Sequence, residues 1–250
     1  MKASVITVCL NSQKTLRQAI NSVNIQSLNQ VEHIIIDGES ADNTYRIAKE
    51  LACRNPVIIK EKDNGIYDAM NKGVACASGD FICFLNSDDW YPNKTVLEEV
   101  ADSLTKTNLD FVYGNIKIFN RNPTYCREWQ CRPLDFNNSN FIQIPHPAFF
   151  VRSEIIKSLL QPFDTSFRIA ADLKQQLILI LKQKRSGFFI PKVLTHMLGG
   201  GASSKNIISW YRGFDESIKA YNDVFNSGGS YFALKKSLSH MMQLLISNKT

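Results

Sequence analysis

The sequence lacks an uninterrupted apolar run of the roughly 20 residues that a membrane-spanning helix needs. A strand-like segment begins at Ala3 and leaves no room for a signal peptide before it, so we expect a cytoplasmic protein. Basic blocks and zinc-finger or RNA-binding signatures are also missing, and the net charge of +6 is moderate. We therefore predict no nucleic-acid partner, whereas a phosphate-rich ligand or an anionic membrane surface would suit this charge.

Cysteine pairs with a chemical signature are absent too. The six cysteines form no CxxC pair and no Cys/His cluster at zinc spacing, so we expect small buried side chains at Cys9, Cys53, Cys76, Cys83, Cys126 and Cys131. There are no repeats and no low-complexity segments. The length of 250 residues and the apolar fraction of 44% suit one large α/β domain with or without a helical appendage.

The common phosphate-binding motifs do not occur. Neither GxGxxG nor a Walker sequence is present, so neither a dinucleotide dehydrogenase nor a P-loop phosphotransferase is supported. Up to Tyr91 the chain nevertheless alternates strand-like and helix-like segments, which predicts a mostly parallel sheet with right-handed crossovers. The predicted strands are 3–9, 31–37, 57–60 and a fourth from Phe81, and the predicted helices contain Leu16 to Val23, Thr44 to Cys53 and Ile66 to Ala77.

The fourth strand ends in adjacent carboxylates. Its apolar run, Phe81 to Leu85, is typical of a strand buried on both faces, and Asn86-Ser87-Asp88-Asp89 follows directly. Ligands bind at this edge of open α/β sheets, and paired carboxylates suit Mg²⁺ or Mn²⁺. A polar turn in which an Asp caps the next helix explains the same residues equally well.

Asp37 also ends a predicted strand, Val31 to Asp37. It can be an ordinary turn residue, but two successive strands that end in Asp would project both acids from one edge of a parallel sheet. Asp172 opens a predicted helix, Leu173 to Lys182. On residue type alone the preferred interpretation of Asp172 is a helix cap.

The second half of the chain is less regular. We predict a helix from Lys94 to Leu104, a strand from Phe111 toward Phe119, an irregular stretch from Asn120 to Asn140 and one or two strands from Gly187 to Thr195. Ile144 to Val151 is predicted to be a bent strand, in which His146 most simply bonds a backbone carbonyl.

Glycines precede the C-terminal segment. The loop Gly199 to Ser204 can wrap a diphosphate or act as a hinge. We place a domain boundary there, between residues 1–205 and a helical extension at 206–250. The last helix, with an apolar face and a basic fringe, packs on its own domain, contacts a membrane surface or forms a homodimer.

Several ordered motifs together resemble one known family. They are SVITVCLNS, IIIDGESADNT, EKDNGIYDAMNKG, GDFICFLNSDDWY, IPHPAFFV and FDTSFRIAADL. In this order and spacing they are similar to family 2 glycosyltransferases of the GT-A fold, above all to bacterial members that build O-antigen, capsule and exopolysaccharide. The resemblance covers about four fifths of the chain. It implies a Rossmann-like α/β fold with a mostly parallel central sheet flanked by helices, and C-terminal helices after it.

The resemblance also implies a role for individual residues. The expected nucleotide-sugar contacts are Thr7, Cys9, Asn11, Asp37, Asp63, Asn71, Lys72, Asn86, Ser87 and Asp88. Asp89 would bind the divalent ion, with His196 as a second candidate ligand, and Asn86 stands where many relatives carry the first Asp of their metal motif. Asp172 would be the catalytic base. The Glu that usually precedes that Asp is Ala171 here.

A metal-dependent inverting transferase is therefore expected. It would use Mn²⁺ or Mg²⁺ to move a sugar from a nucleotide-sugar, most simply a UDP-sugar, to a lipid-linked or oligosaccharide acceptor, with possible peripheral contact at the cytoplasmic face of the inner membrane. The alternatives are an inactive nucleotide-binding homologue and a sugar nucleotidyltransferase. The second would be expected to carry a Gly-rich basic loop after the first strand, where Leu10-Asn11-Ser12-Gln13 stands.

Overall fold

The computed structural model describes residues 1–120, 126–134, 142–200 and 207–247. Its strands are β1 (Ala3–Cys9), β2 (Val31–Asp37), β3 (Val57–Lys60), β4 (Phe81–Phe84), β5 (Phe111–Phe119), β6 (Cys126–Trp129), β7 (Phe149–Arg152) and β8 (Gly187–Leu198). Its α-helices are α1 (Leu16–Asn24), α2 (Thr44–Leu51), α3 (Ile66–Cys76), α4 (Val96–Thr107), α5 (Ser153–Lys157), α6 (Ala171–Gln176), α7 (Ile207–Phe225) and α8 (Gly229–Ser247). A 3₁₀ turn at His146–Ala148 precedes β7, and a π-helical segment, Leu177–Lys182, continues α6.

The strands form one sheet in the order β3-β2-β1-β4-β7-β5-β6, with β8 paired to β5. Strands β3, β2, β1 and β4 are parallel to one another, and β8 is parallel to β5. Strand β7 is antiparallel to β4 and β5, and β6 is antiparallel to β5. The expected α/β architecture with a mostly parallel central sheet is confirmed. Its C-terminal edge is where parallel strands present ligand-binding loops.

The core follows from the apolar periodicity. Every residue of β1 and β2 is buried, as expected for strands covered by helices on both faces. In α1 the apolar residues at helical spacing, Leu16, Ala19, Ile20 and Val23, are all buried against the sheet. Cys9, Cys83 and Cys131 are buried as expected, but Cys53 is exposed, so that part of the cysteine prediction is wrong.

Three second-half elements differ from expectation. Strand β6 lies within the stretch predicted to be irregular, because β5 is long enough to pair with it beyond β7. The predicted bent strand is a 3₁₀ turn followed by β7, since Pro145 and Pro147 lack the N–H groups that a ladder requires. Strand β8 continues past Thr195 to Leu198.

The C-terminal helices pack on the rest of the molecule. Helix α7 contacts α6 and α8, and α8 also contacts β6. The predicted domain boundary at 205/206 and most of the glycine loop lie outside the described residues. Within the described ranges, no helix is both long and apolar enough to cross a bilayer.

Candidate active site

The predicted polar residues meet at one edge of the sheet. Cys9, which ends β1, pairs in register with Asp37, which ends β2. The loops after β1 and β4 are joined by a 2.8 Å hydrogen bond between the hydroxyls of Ser87 and Ser12. The expectation that strand-end residues come together is therefore correct.

Asp37 is fully buried, and only one of its two carboxylate oxygens has hydrogen-bond partners among the described residues. Its Oδ1 accepts hydrogen bonds from the Ser40 N–H and hydroxyl, whereas its Oδ2 has no partner among the described residues. The carboxylate of Asp63 packs against Gly38, the residue after Asp37, so closely that a Cβ at Gly38 would collide with Asp63 Oδ2. A buried acceptor without a donor is costly, so this geometry fits a ligand N–H at Asp37.

The loop after β4 holds the second set of carboxylates. Burial raises the pKa of Asp89 well above its usual range, and the neighbouring charge of Asp88 raises it further. Burial likewise raises the pKa of Asp88. The Oδ1 atoms of Asp89 and Asn86 are buried without partners in the described part of the chain, and Asn86 Nδ2 lies 3.3 Å from Asp89 Oδ2.

These oxygens fit a divalent cation. A nearby positive charge would stabilise both ionised carboxylates, and hard oxygen ligands are what Mg²⁺ and Mn²⁺ prefer. The described residues contain no group of three or more His, Cys, Asp and Glu side chains arranged for a metal. Such a cation would therefore take its remaining ligands from phosphate oxygens and water, as Mg²⁺ commonly does.

His196 lies in an aromatic environment. Its ring centroid is 5.4 Å from that of Trp90 and 4.9 Å from that of Phe119. Burial lowers its pKa, and the charge of Lys117 lowers it further. The backbone of His196 pairs with that of Trp90, the residue directly after Asp89, through two hydrogen bonds of 2.8 and 2.9 Å. His196 therefore lies close to the acids in the fold, and its role as a metal ligand stays a prediction.

Asn11 and Cys9 lie beside Asp37 through different contacts. The Asn11 backbone, at a φ of 52°, donates to Ser40 Oγ, and its side chain accepts from the Ala41 N–H. The Cys9 thiol is 4.0 Å from Asp37 Oδ1, and burial followed by the Asp37 charge raises its pKa to about 12. The Cys9 thiol is therefore neutral at neutral pH.

Three expected donor contacts have their side chains occupied elsewhere. Thr7 is fully buried and its hydroxyl is 2.9 Å from His33 Nε2. Asn71 makes two hydrogen bonds to the backbone of Phe163, and Lys72 pairs with Glu61 at 3.0 Å. These side chains support the loops around the site, and their direct contact with a donor stays a prediction.

A cavity of about 260 Å³ opens between the loops after β1 and β4. It is lined by Asn11, Ser12, Gln13, Lys14, Thr15, Asp42, Ser87, Asp88 and Leu198. Sequence reasoning missed Gln13 and Lys14, although their position directly after the β1 loop was a usable signal. Lys14 brings a cation to a cavity that otherwise carries two carboxylates.

Asp172 lies in the first turn of α6, and its carboxylate does not cap the helix. Instead its Oδ1 accepts a 3.0 Å hydrogen bond from the hydroxyl of Tyr67 on α3. The bond joins two elements 105 residues apart in sequence. The preference for a simple cap, which residue type alone suggested, is therefore wrong.

An aromatic cluster connects Asp172 to the loop after β4. The ring of Phe84, the last residue of β4, is 5.1 Å from Phe163 and 4.8 Å from His146, and Tyr67 stacks on Phe163 at 5.8 Å. His146 is close enough to Asp172 for the carboxylate to raise its pKa, although burial outweighs this and lowers it. Neither His146 nitrogen has a partner in the described ranges, so the expected carbonyl bond is absent.

Comparison with family models matches residues 4–157 to "Glycosyl transferase family 2". The chain belongs to glycosyltransferase family 2. The matched segment contains Asp37, Asp63 and the loop after β4, whereas Asp172 and helices α6 to α8 lie beyond it.

Several curated relatives are glycosyltransferases. An uncharacterized glycosyltransferase of Mycobacterium tuberculosis is 32% identical over 68% of this chain and 65% of its own length. A PGL/p-HBAD biosynthesis glycosyltransferase of Mycobacterium bovis is 30% identical over 68% and 66%. The Escherichia coli UDP-Glc:alpha-D-GlcNAc-diphosphoundecaprenol beta-1,3-glucosyltransferase WfgD is 36% identical over 48% and 47%. This chain therefore matches slightly less than two thirds of the first two relatives and about half of the third.

Solved structures share the fold. Residues 1–349 of S. aureus TarS in complex with UDP-GlcNAc superpose with a TM-score of 0.72 at 20% identity, over 92% of this chain and 69% of that TarS segment. The mannosyltransferase PcManGT of Pyrobaculum calidifontis, in complex with GDP-Man and Mn²⁺, gives 0.64 at 13% identity over 91% and 65%. At these identities the likeness establishes the GT-A fold of the family 2 domain.

Proposed function

We propose that this family 2 protein is a metal-dependent inverting glycosyltransferase. It transfers a sugar from a nucleotide diphosphate sugar, most simply a UDP-sugar, to a hydroxyl of a lipid-linked glycan in surface polysaccharide synthesis, such as O-antigen, lipopolysaccharide or capsule. The observation that carries the proposal is a set of carboxylates, Asp37, Asp88 and Asp89 after the strands of the sheet and Asp172 on α6. Within the described part of the chain, Asp37 and Asp89 each keep a buried oxygen without a partner. The UDP-GlcNAc bound to TarS, and the UDP-Glc donor and GlcNAc-diphosphoundecaprenol acceptor of WfgD, support it.

The donor half uses the residues after β1, β2 and β4. Asp37 Oδ2 accepts an N–H from the edge of the base, and the Asn11 loop borders the ribose. Asn86, Asp88 and Asp89 would hold the divalent cation through their side-chain oxygens. When bound, that cation neutralises the charge of the departing diphosphate.

The acceptor half depends on Asp172. With Oδ1 held by the Tyr67 hydroxyl, Oδ2 takes the proton from the acceptor hydroxyl. That oxygen attacks the anomeric carbon from the side opposite the leaving diphosphate, so the configuration inverts. This single displacement requires no nucleophile from the protein.

The outer face of α8 supports peripheral contact with the cytoplasmic side of the inner membrane. Tyr231, Leu234, Leu238 and Met241 recur at helical spacing and are 50% to 73% exposed. Helix α8 contains two lysines and no acidic residue, which suits an anionic lipid surface. The alternative is that a second copy of the chain covers the same face in a homodimer.

Thermal shift with UDP, GDP, CDP, CMP and TDP, with and without Mn²⁺, tests the donor half. A ligand at about 100 times its Kd stabilises by about 2.7 kcal/mol, and we expect this for one diphosphate only when Mn²⁺ is present. Asp89→Asn should abolish the Mn²⁺-dependent part, whereas the surface control Asp102→Asn should not. No shift with any nucleotide would favour the inactive homologue.

The transfer step is tested separately with Asp172→Asn. Loss of a positioned general base lowers kcat by about 100-fold or more while nucleotide stabilisation persists. Analysis of the product by NMR reports the anomeric configuration. Near wild-type turnover by Asp172→Asn would exclude it as the base, and formation of a nucleotide-sugar from a sugar phosphate would instead identify a nucleotidyltransferase.

A further inference from the structure

The contact between β6 and α8 gathers basic side chains beside the proposed base. Arg127 and Trp129 alternate onto one face of β6. The ring of His240 packs on Trp129 at 5.0 Å, and Lys236 lies one helical turn before His240 on α8. We call Arg127, Trp129, Lys236 and His240 the β6–α8 site.

Lys236 has no acidic partner in this site. Its Nζ donates to Ser217 Oγ at 3.0 Å, and no ion pair involving Lys236 is present in the described ranges. Burial lowers its pKa, and the only charge that opposes this effect is that of Asp172, so the ammonium group is near the proposed base. A partly buried cation without a counter-ion is costly unless a ligand supplies the negative charge.

Two of the neighbouring side chains offer unpaired hydrogen-bond donors, and one, Gln243, has an unpaired acceptor oxygen, Oε1, among the described residues. The Trp129 Nε1–H is buried without an acceptor among the described residues, as is the Gln143 amide nitrogen. Gln143 Oε1 already accepts from Ser239 of α8, so its amino group remains available. Unsatisfied buried donors next to Lys236 and His240 favour a ligand that presents several acceptor oxygens.

We infer that the β6–α8 site binds a phosphate or diphosphate group of the acceptor. This inference rests on the proposed function, because Asp172 is where the acceptor hydroxyl must lie. The shared chemistry of a lipid-linked diphosphate and of free phosphate is a compact anion with three or more acceptor oxygens. The site differs from the donor site after β4, whose carboxylates bind a diphosphate only through a cation.

The binding test uses the full-length protein in EDTA, which removes divalent cations from the donor site. Calorimetric titration with inorganic pyrophosphate and with farnesyl diphosphate should show binding that is at least 10-fold weaker in Lys236→Met. Lys235→Met, the adjacent lysine on the same helix, is the matched control and should bind as the wild type does. Equal affinity in Lys236→Met, or no binding to the wild type, would overturn the inference.

A second measurement distinguishes the two sources of the anion. With a lipid-diphosphate-linked GlcNAc acceptor, Lys236→Met should raise KM at least 10-fold, whereas KM for the corresponding phosphate-free alkyl glycoside should not change. An equal rise in KM for both acceptors would overturn the inference that the β6–α8 site binds the phosphate group of the acceptor, even if pyrophosphate binds there. Absence of transfer to either acceptor would count against the proposed function, while the calorimetry would still decide the anion site.

Discussion

The hydroxyl of Tyr67 lies 3.0 Å from Oδ1 of Asp172 and donates to it. Burial, followed by the charge of Asp172, raises the pKa of Tyr67 well above its usual range, so the phenol keeps its proton at all working pH values. Helix α3 thereby fixes one oxygen of the carboxylate on α6. Tyr67 is a positioning residue for the proposed base.

Replacing Tyr67 with Phe should therefore change the pH profile of transfer. The ionised carboxylate loses a hydrogen bond, so the acidic limb of the kcat profile should move to higher pH and kcat at neutral pH should fall about 10-fold. Steady-state kinetics from pH 5 to 9 measure this effect. Tyr45→Phe on α2 is the control, and an unshifted limb in Tyr67→Phe would exclude the positioning role.

Glu216 on α7 should also be required for correct placement of Asp172. Its carboxylate accepts hydrogen bonds from the backbone N–H groups of Arg168, Ile169 and Ala170, at 2.8 to 3.1 Å, immediately before α6. Glu216→Ala should lower the free energy of unfolding by about 2 kcal/mol and reduce kcat, because these N–H groups lose their charged acceptor.

The loss of kcat should be partly rescued by Glu216→Gln, which keeps one acceptor oxygen. Urea unfolding and steady-state kinetics on both variants test this, with Glu50→Gln on the surface of α2 as the control. A destabilised Glu216→Ala protein with unchanged kcat would show that Glu216 contributes to folding stability and not to the placement of Asp172.

Glu32 should make the protein sensitive to acid. Burial raises its pKa, but hydrogen bonds from Lys2, Ser4 and Ser78 outweigh this and lower the pKa to about 2. The stabilisation is therefore complete above the ordinary pKa of about 4.5 and is lost as pH falls toward 2.

Glu32→Gln tests that linkage. At pH 7 the free energy of unfolding of the variant should be about 2 kcal/mol lower than that of the wild type. This difference in free energy should shrink as the pH falls from 4.5 to 2. Urea unfolding at pH 7, 4.5 and 3 measures it. A difference that does not vary with pH would mean that the charge of Glu32 contributes nothing.

The outer face of α8 should bind anionic vesicles. Substitution of Leu238 and Met241 by Ser should reduce co-sedimentation with phosphatidylglycerol vesicles several-fold, because buried apolar area drives such binding. Leu160, exposed on another part of the surface, supplies the control Leu160→Ser. Wild-type binding by the α8 variant would exclude this face, and a concentration-dependent dimer in light scattering that the variant lacks would identify a second copy as its occupant.

The sequence predicted the donor half better than the acceptor half. Buried strands are recognisable from their apolar runs, and parallel neighbouring strands end at the same edge of a sheet. The sequence therefore placed Asp37 and the loop after Phe84 at one edge, as the strand pairing has them. Gly38 under Asp63 was not foreseen, because that contact depends on how two loops cross.

Contacts between distant helices could not be read from local patterns. The periodicity of the last helix revealed an apolar face but not its direction. In the structure Leu234 and Leu238 point outward, while Lys236 and His240 face the domain. Likewise Asn71 was expected at the donor, but its amide matches the Phe163 backbone, a pairing 92 residues away in sequence.

The family match ends at residue 157, before Asp172, Glu216 and Lys236. An engineer who trimmed the chain to that shared segment would discard the proposed base and the carboxylate that anchors its loop. The same cut would remove strand β8, which pairs with β5, and Leu198, which lines the cavity. The expected product is a fragment with an incomplete core, an incomplete cavity and no turnover. In chimaeras with other family members, the whole span from β1 to α8 should therefore come from one parent. The residues proposed to bind the donor and those proposed to bind the acceptor then stay matched.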